Sequence, residues 1–172
     1  MLYILKTKAL YLIIVFEVTN NLIICVNKVH SGTKEIVGLS VGAANISDNY
    51  PGFTGDELLV ISLDYGLDSN SARIYVHSSC IFSHKTTDII FALSFDKYFN
   101  PNKANDFFVG FSCGLYDELY SLAGFQIGKS YKLEDVKKTK IEVGYRHYFL
   151  IDMEQGDTQR SLCEIYLSIF SY

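Results

Sequence analysis

From Glu35 to Tyr172, short stretches of the chain alternate apolar and polar residues, and this period-2 pattern restricts the fold more than any other feature. Successive side chains of a β-strand point to opposite faces, so each stretch predicts a strand with one apolar and one polar face. The stretches are residues 35–47, 57–68, 72–83, 87–98, 105–116, 120–131, 139–151 and 161–172. Eight such strands in succession predict an all-β fold, an eight-stranded antiparallel up-and-down β-barrel.

The connections and the composition agree with strands. Connections such as Asp68–Ser71 and Asn100–Lys103 are rich in turn-forming residues. A helix would need apolar residues at i, i+3, i+4 and i+7, which strict alternation does not provide. The chain contains 13 Tyr and 12 Phe, residue types that favour strands. Its formal net charge of −4, with no basic cluster longer than Lys137-Lys138, argues against a nucleic-acid partner.

The chemistry of the polar face distinguishes two kinds of barrel. A soluble barrel turns its apolar face inward, whereas a membrane barrel turns it outward. Here the polar phase is mostly Gly, Ser, Asp and Tyr, and nearly every Lys lies in a connection or at a segment end. A water-facing surface usually carries long charged side chains, whereas small residues suit the narrow lumen of an eight-stranded barrel. Since each stretch is also long enough for a tilted strand to cross a bilayer, the pattern favours a transmembrane β-barrel.

The alternative is a soluble or periplasmic lipocalin-like barrel that binds an apolar small molecule. In that barrel the apolar phase would line a pocket instead of facing lipid. The pocket would be lined by Phe91, Phe95, Phe107, Phe111 and Phe125.

Several ionisable residues fall on the polar, interior phase of the predicted strands. They are Asp64, Arg73, His77, Asp88, Asp96, Glu142, Arg146 and Glu164. Because a charge inside a barrel is costly unless it is paired, we expect a salt-bridged plug centred on Arg73 and Arg146 with acidic partners. We interpret this network as structural; a functional interpretation would make it an ion constriction or a proton path.

Residues 1–34 do not share the alternating pattern. Lys6 and Lys8 precede an apolar run, Ala9–Phe16, in the order found in secretory signals. Glu17 ends that run, and Asn20-Asn21 replaces the expected small-residue cleavage site. An export-signal-like segment, a translated upstream extension and a membrane anchor or helix all stay open. The sequence thus predicts two parts, this segment and a barrel domain over residues 35–172.

No motif predicts a metal site, a cofactor or catalysis. Cys25, Cys80, Cys113 and Cys163 are widely spaced without a CxxC pair, and the last three fall on the apolar phase, as small hydrophobes do. A disulfide in an oxidising compartment stays open. The alternating strands contain no strand-to-helix nucleophile elbow, and the chain contains no HExxH run. We therefore expect a protein that is not an enzyme.

With eight strands placed, the chain resembles the small eight-stranded outer-membrane barrels of Gram-negative bacteria, the class of the OmpA transmembrane domain and the opacity proteins. The resemblance rests on Gly38–Gly42 in the first strand, Val143–Phe149 in the penultimate strand and a final strand that ends at Tyr172. Members of this class usually end in an aromatic residue, preceded by apolar residues at alternate positions, which the barrel assembly machinery recognises.

The final strand matches this assembly signal only in part. Tyr166, Phe170 and Tyr172 fit the pattern, whereas Glu164 and Ser168 depart from it. A competing apolar phase, formed by Ile165, Leu167 and Ile169, leaves the inward face of this strand open.

The resemblance implies an integral protein of the bacterial outer membrane with a structural, surface-interaction or minor permeability role. Its partners would be outer-membrane lipids and the barrel assembly machinery, and it would be a monomer. Residues 48–56, 84–87, 117–120 and 152–160 would form the exposed loops if both termini are periplasmic.

Overall fold

Eight antiparallel strands form a closed barrel in which each strand pairs with the next and β1 pairs with β8. The computed structural model describes residues 33–48, 57–69, 71–83, 87–100, 105–117, 120–133, 138–153 and 158–172. The strands are β1 (Lys34–Asp48), β2 (Glu57–Asp68), β3 (Ala72–Phe82), β4 (Thr87–Tyr98), β5 (Asn105–Tyr116), β6 (Tyr120–Lys132), β7 (Thr139–Asp152) and β8 (Thr158–Ser171). The predicted eight-stranded up-and-down barrel is confirmed.

The strand bounds follow the alternation closely, except at the start of β8. β2, β4 and β5 have the predicted bounds, whereas β8 begins at Thr158 instead of residue 161. The early residues of β8 are polar on both faces and carry no alternation, but they pair with β7 past an irregularity at Leu150/Ile151. The interpretations of residues 1–32 and of most loop residues lie outside the described part of the chain.

The apolar phase faces outward. Leu39, Leu63 and Ile165 are 61%, 52% and 66% exposed, whereas Asp64 and Glu142 are fully buried. We call the outward apolar side chains of the eight strands the outer belt. Among the described residues, no helix is long and apolar enough to cross a membrane.

The outward direction of the outer belt makes the lipocalin-like alternative wrong. Phe107, Phe111 and Phe125 are exposed on the outer surface, and Phe95 packs on Phe111 there with ring centroids 5.5 Å apart. Phe91 precedes the buried Ala92 and also faces outward. The physical reason is that their neighbours along each strand take the interior positions, so the five phenylalanine side chains line no pocket.

The same geometry shows which face of β8 points into the barrel. Ile165, Leu167 and Ile169 face outward, and Tyr166 and Phe170 are buried inside the barrel.

The two ends of the barrel interior differ. At the loop end, where the β1–β2, β3–β4, β5–β6 and β7–β8 connections lie, every strand contributes to a buried apolar cluster, which we call the apolar cap. The apolar cap consists of Ala44, Leu58, Val60, Ile81, Ile90, Ala92, Tyr116, Leu122, Tyr148, Leu150 and Leu162. Below the cap, towards the terminal end that carries Lys34 and Tyr172, the interior contains buried ion pairs packed among aromatic side chains such as Tyr98 and Phe108.

Candidate functional site

The first interior cluster surrounds Arg73. The register of β3 and β4 places Arg73 opposite Asp96, to which its Nε donates a hydrogen bond of 2.9 Å and its Nη2 a second, shorter one. Nη2 also donates to Glu142 across the lumen at 2.9 Å. The guanidinium lies 4.1 Å from the ring centroid of Phe170 and 4.6 Å from that of Tyr75, in cation–π geometry. One buried cation is therefore shared by two buried carboxylates.

The second interior cluster surrounds Arg146 on β7. Its Nη1 donates to Glu164, its cross-strand neighbour on β8, at 3.4 Å, and its Nη2 lies 3.8 Å from Asp64. The guanidinium stacks on the ring of Tyr166 at 3.7 Å. Its Nε donates to the amide oxygen of Gln126 at 3.0 Å.

Gln126 joins the two arginine clusters. Its amide nitrogen donates to Tyr75 Oη at 2.6 Å and to an Asp96 oxygen, while its amide oxygen accepts the hydrogen bond from Arg146 Nε. The alternation predicts that Gln126 lies on the interior face, but periodicity carries no signal that its amide links Arg146 to Asp96, the acidic partner of Arg73. Seven of the eight predicted network residues are buried in the lumen, and Gln126 links the Arg73 and Arg146 clusters. The eighth, Asp88, is only half-buried and accepts a hydrogen bond of 2.6 Å from Tyr116 Oη.

A further ion pair, between Lys140 and Asp68, was missed by the sequence reasoning. Lys140 Nζ donates to Asp68 Oδ2 at 2.7 Å, and both side chains are buried near the terminal end. A lysine at a strand end is usually solvated, so its position suggested nothing. The available signal was that both residues share the interior phase of their strands.

The Asp64, His77 and Ser79 side chains form a linear chain of hydrogen bonds inside the barrel. Asp64 Oδ1 lies 2.5 Å from His77 Nδ1, and Ser79 Oγ lies 2.5 Å from His77 Nε2. This order matches that of a serine hydrolase triad. However, Ser79 donates its proton to Ser62 at 2.9 Å, and Ser79 and His77 are both 1% exposed. A hydroxyl that donates elsewhere and lies beneath the apolar cap is not an available nucleophile.

Two stretches spell G-x-S-x-G, namely Gly38–Gly42 and Gly110–Gly114. Both lie within strands, and their central residues, Ser40 and Ser112, are buried in the lumen. A nucleophile elbow instead needs a sharp turn from strand to helix that exposes the serine. Among the described residues, no group of three or more His, Cys, Asp or Glu side chains is arranged to hold a metal ion.

Several buried polar atoms around Arg146 have no hydrogen-bond partner within the described protein. They are Asp64 Oδ2, Arg146 Nη2, Tyr148 Oη, Glu164 Oε1 and Tyr166 Oη. Buried polar groups in folded proteins bond to protein or to ordered water, and these five atoms are the ones near Arg146 that ordered water would have to serve.

Tyr172 follows β8 at the terminal end, beside the buried ion pairs. Burial, with the nearby Asp68 and Glu142 carboxylates, raises the pKa of its phenol to about 12, against an opposing effect of Arg73. The Lys34 ammonium lies 5.0 Å from its ring centroid. The terminal aromatic residue therefore packs as a neutral ring over the end of the barrel.

Gly144 makes room for the stack of Tyr166 on Arg146. A Cβ at Gly144 would lie 2.5 Å from the ring and hydroxyl of Tyr166, closer than any real contact allows. We expect Gly144→Ala to lower the free energy of unfolding by about 1–3 kcal/mol, because the ring has to leave the guanidinium. The measurement is the urea midpoint of the folded form on unheated gels. The control is Ser168→Ala, which also faces the lumen, adds no atoms and removes a hydroxyl without a hydrogen-bond partner among the described residues. Equal midpoints for the two variants would contradict the prediction.

No protein-family model matches this chain, and no curated protein matches its sequence. Several solved structures share its architecture. Neisserial surface protein A has a TM-score of 0.66 at 15% identity, with 82% of this chain and 99% of that chain covered. A de novo designed transmembrane β-barrel has a TM-score of 0.57 at 11% identity, with 83% and 96% covered. At these identities the likeness concerns the fold, and this chain has the fold of the small eight-stranded transmembrane β-barrels.

Proposed function

We propose that this protein is an integral protein of a bacterial outer membrane that acts as a closed barrel, through its structural and surface properties. The outer belt carries this proposal, because it places side chains such as Leu39, Leu63 and Ile165 on the outside of a barrel with a polar lumen. Soluble monomers rarely expose contiguous apolar patches larger than a few hundred Å². A belt that runs around eight strands is suited to lipid acyl chains, which makes outer-membrane lipids its first partners.

The ends of the barrel suit the two membrane–water interfaces. Near the terminal end, the exposed Lys97 and Lys129 extend from the outer face, and Lys129 lies 5.2 Å from the ring centroid of Tyr131. Lysine stems of this kind lie along apolar surface while the ammonium reaches the headgroups. Exposed aromatic side chains lie near both ends, among them Phe99 at the terminal end and Phe82 at the loop end, as in interfacial girdles.

The interior favours a structural or surface role over permeability. The apolar cap closes the lumen at the loop end, and the Arg73 and Lys140 ion pairs fill it at the terminal end. A conducting path would need a continuous polar lining through both regions. We therefore propose that any interaction with the outside uses the loops and the rim of the loop end.

The closed sheet supports a proposal for assembly and oligomeric state. Because β1 pairs with β8, the barrel leaves no open strand edge to be completed by a second chain, which supports a monomer. Recognition by the barrel assembly machinery would involve β8, where Ile165, Leu167 and Ile169 supply the lipid-facing side and Tyr166, Phe170 and Tyr172 supply the inner side and the end. No enzymatic role is part of this proposal.

Membrane fractionation combined with gel migration tests the proposed function. We expect the chain to co-fractionate with the outer membrane and to migrate faster before boiling than after it, because a closed barrel resists detergent at room temperature. Recovery of the mature chain as a soluble monomer without detergent would contradict the proposal. Stepwise ion conductance of the purified protein in planar bilayers would contradict the closed interior.

A further inference from the structure

A small polar cluster interrupts the outer belt on β7 and β8. It consists of Tyr145, His147 and Cys163, all of which are half-buried and outward-facing. We propose that Cys163 is a site of S-acylation, with His147 as its base and an ester-linked fatty acyl chain of a surrounding membrane lipid as the acyl donor. This inference rests on the proposed function, because it needs the outer belt to face lipid.

The geometry brings a thiol and an imidazole together. His147 and Cys163 are directly opposite each other in the β7–β8 register. Cys163 Sγ lies 3.1 Å from His147 Nδ1, and Tyr145 Oη lies 3.1 Å from the same nitrogen. A cysteine beside an imidazole can transfer its proton and react as a thiolate, which is the nucleophilic form.

Aromatic packing fixes the imidazole in place. The His147 ring stacks on Phe125 at 5.4 Å with an interplanar angle of 13° and packs against Phe149 at 4.6 Å. The His147 ring is therefore held between two outward aromatic side chains while its Nδ1 points towards the Cys163 thiol. Burying a polar or ionisable side chain in a bilayer costs free energy, so a lipid-facing histidine such as His147 needs an explanation other than packing.

Cys163 lies where the outer face of β8 changes character. Ile165, the next outward residue towards the terminal end, is the most exposed large hydrophobic side chain described. The next outward residue towards the loop end, Ser161, hydrogen-bonds at 2.7 Å to Ser47 on the exposed surface of β1. Asn45 lies opposite Cys163 on β1. On β8 and β1 the thiol is therefore at the boundary between apolar and polar surface, and the proposal places it at the depth of the lipid ester groups.

The proposed reaction transfers an acyl group from an oxygen ester of the lipid to the thiol of Cys163. No oxidant or reductant takes part. His147 Nδ1 accepts the thiol proton, and the sulfur attacks the ester carbonyl carbon of the lipid. The C–O bond to the glycerol oxygen breaks as the C–S bond forms, and the proton passes from His147 to the leaving oxygen. The products are an S-acylated Cys163 and a lysolipid.

Two other outward cysteines provide internal controls. Cys80 lies between Ile61 and Ile89 in the strand register, and Cys113 lies between Leu93 and Ala123. All three cysteines are free, but only Cys163 is hydrogen-bonded to a histidine among the described residues. The proposal therefore predicts acylation of one thiol and not of its two lipid-facing counterparts.

The test is to fold the full chain into vesicles of phosphatidylcholine with ester-linked chains and, in parallel, with ether-linked chains. Ether lipids cannot donate an acyl group. In ester vesicles we expect mass spectrometry to find a hydroxylamine-labile acyl group on the Cys163 peptide, and in ether vesicles none. We expect Cys163→Ala to abolish it, Cys113→Ala to leave it unchanged, and His147→Phe, which keeps the ring stack, to slow it about 100-fold.

The fast-migrating unheated band separates the two possible failures. A chain that does not give this band in either lipid has not inserted, and that result overturns the proposed function together with this inference. A wild-type chain that gives the band but carries no acyl group overturns the inference alone. Equal acylation of Cys80 or Cys113, or an unchanged rate in a folded His147→Phe variant, also overturns it.

Discussion

Replacement of Arg73 by methionine is expected to lower the free energy of unfolding by about 3–5 kcal/mol. The change leaves two carboxylates, those of Asp96 and Glu142, buried in the lumen without their shared cation. It also removes a guanidinium that lies over the rings of Phe170 and Tyr75. Because the chain contains no Trp, the measurement is the fraction of the fast-migrating band across a urea series in lipid vesicles.

Two further variants show whether the unpaired charge is the cause. Lys97→Met removes a cation from β4 directly beside Asp96, but Lys97 is exposed on the outer face, so we expect little change. Adding Asp96→Asn and Glu142→Gln to Arg73→Met removes the unpaired charges and should recover most of the loss. If the triple variant is as unstable as Arg73→Met alone, the stability depends on packing of the guanidinium and not on charge.

Much of the fold could be predicted because a period of two is a local signal. Each strand reports its own two faces, so strand bounds and the contents of the lumen follow from the residues of one strand at a time. β8 shows where the signal ends: its first residues are polar, and both of its later faces contain apolar side chains. The inward choice of Tyr166 and Phe170 depends on Arg146 and Arg73, which come from β7 and β3.

Pairwise contacts could not be predicted, because periodicity does not fix register. A shift of two residues between neighbouring strands preserves every face and changes every partner. The alternation alone places Cys163 on the apolar phase and predicts a small hydrophobe. That it lies opposite His147, and not opposite Tyr145 or Phe149, follows from the register of β7 and β8 alone. The bridge made by Gln126 was hidden for the same reason.

A lysine at Leu63 is expected to lower the free energy of unfolding by about 2–4 kcal/mol in lipid vesicles, the cost of a cation near the bilayer midplane. Leu63 lies near the middle of β2, is 52% exposed, and is opposite the equally outward Leu39 of β1. The cost arises because a midplane ammonium has to be dehydrated or has to draw water into the bilayer.

The depth of the substituted residue in the membrane distinguishes this explanation from a destabilisation that any lysine substitution would cause. Ser47→Lys places the same side chain on the outer face of β1, at the exposed polar boundary near the loop end. There we expect a cost of only about 0–1 kcal/mol, because the ammonium remains in the interface. The measurement is again the urea series on unheated gels. Equal costs at Leu63 and Ser47 would mean that the outer belt does not lie in the hydrocarbon of a membrane. Water or a covering protein would not become more apolar from the end of the strand to its middle, as a bilayer does.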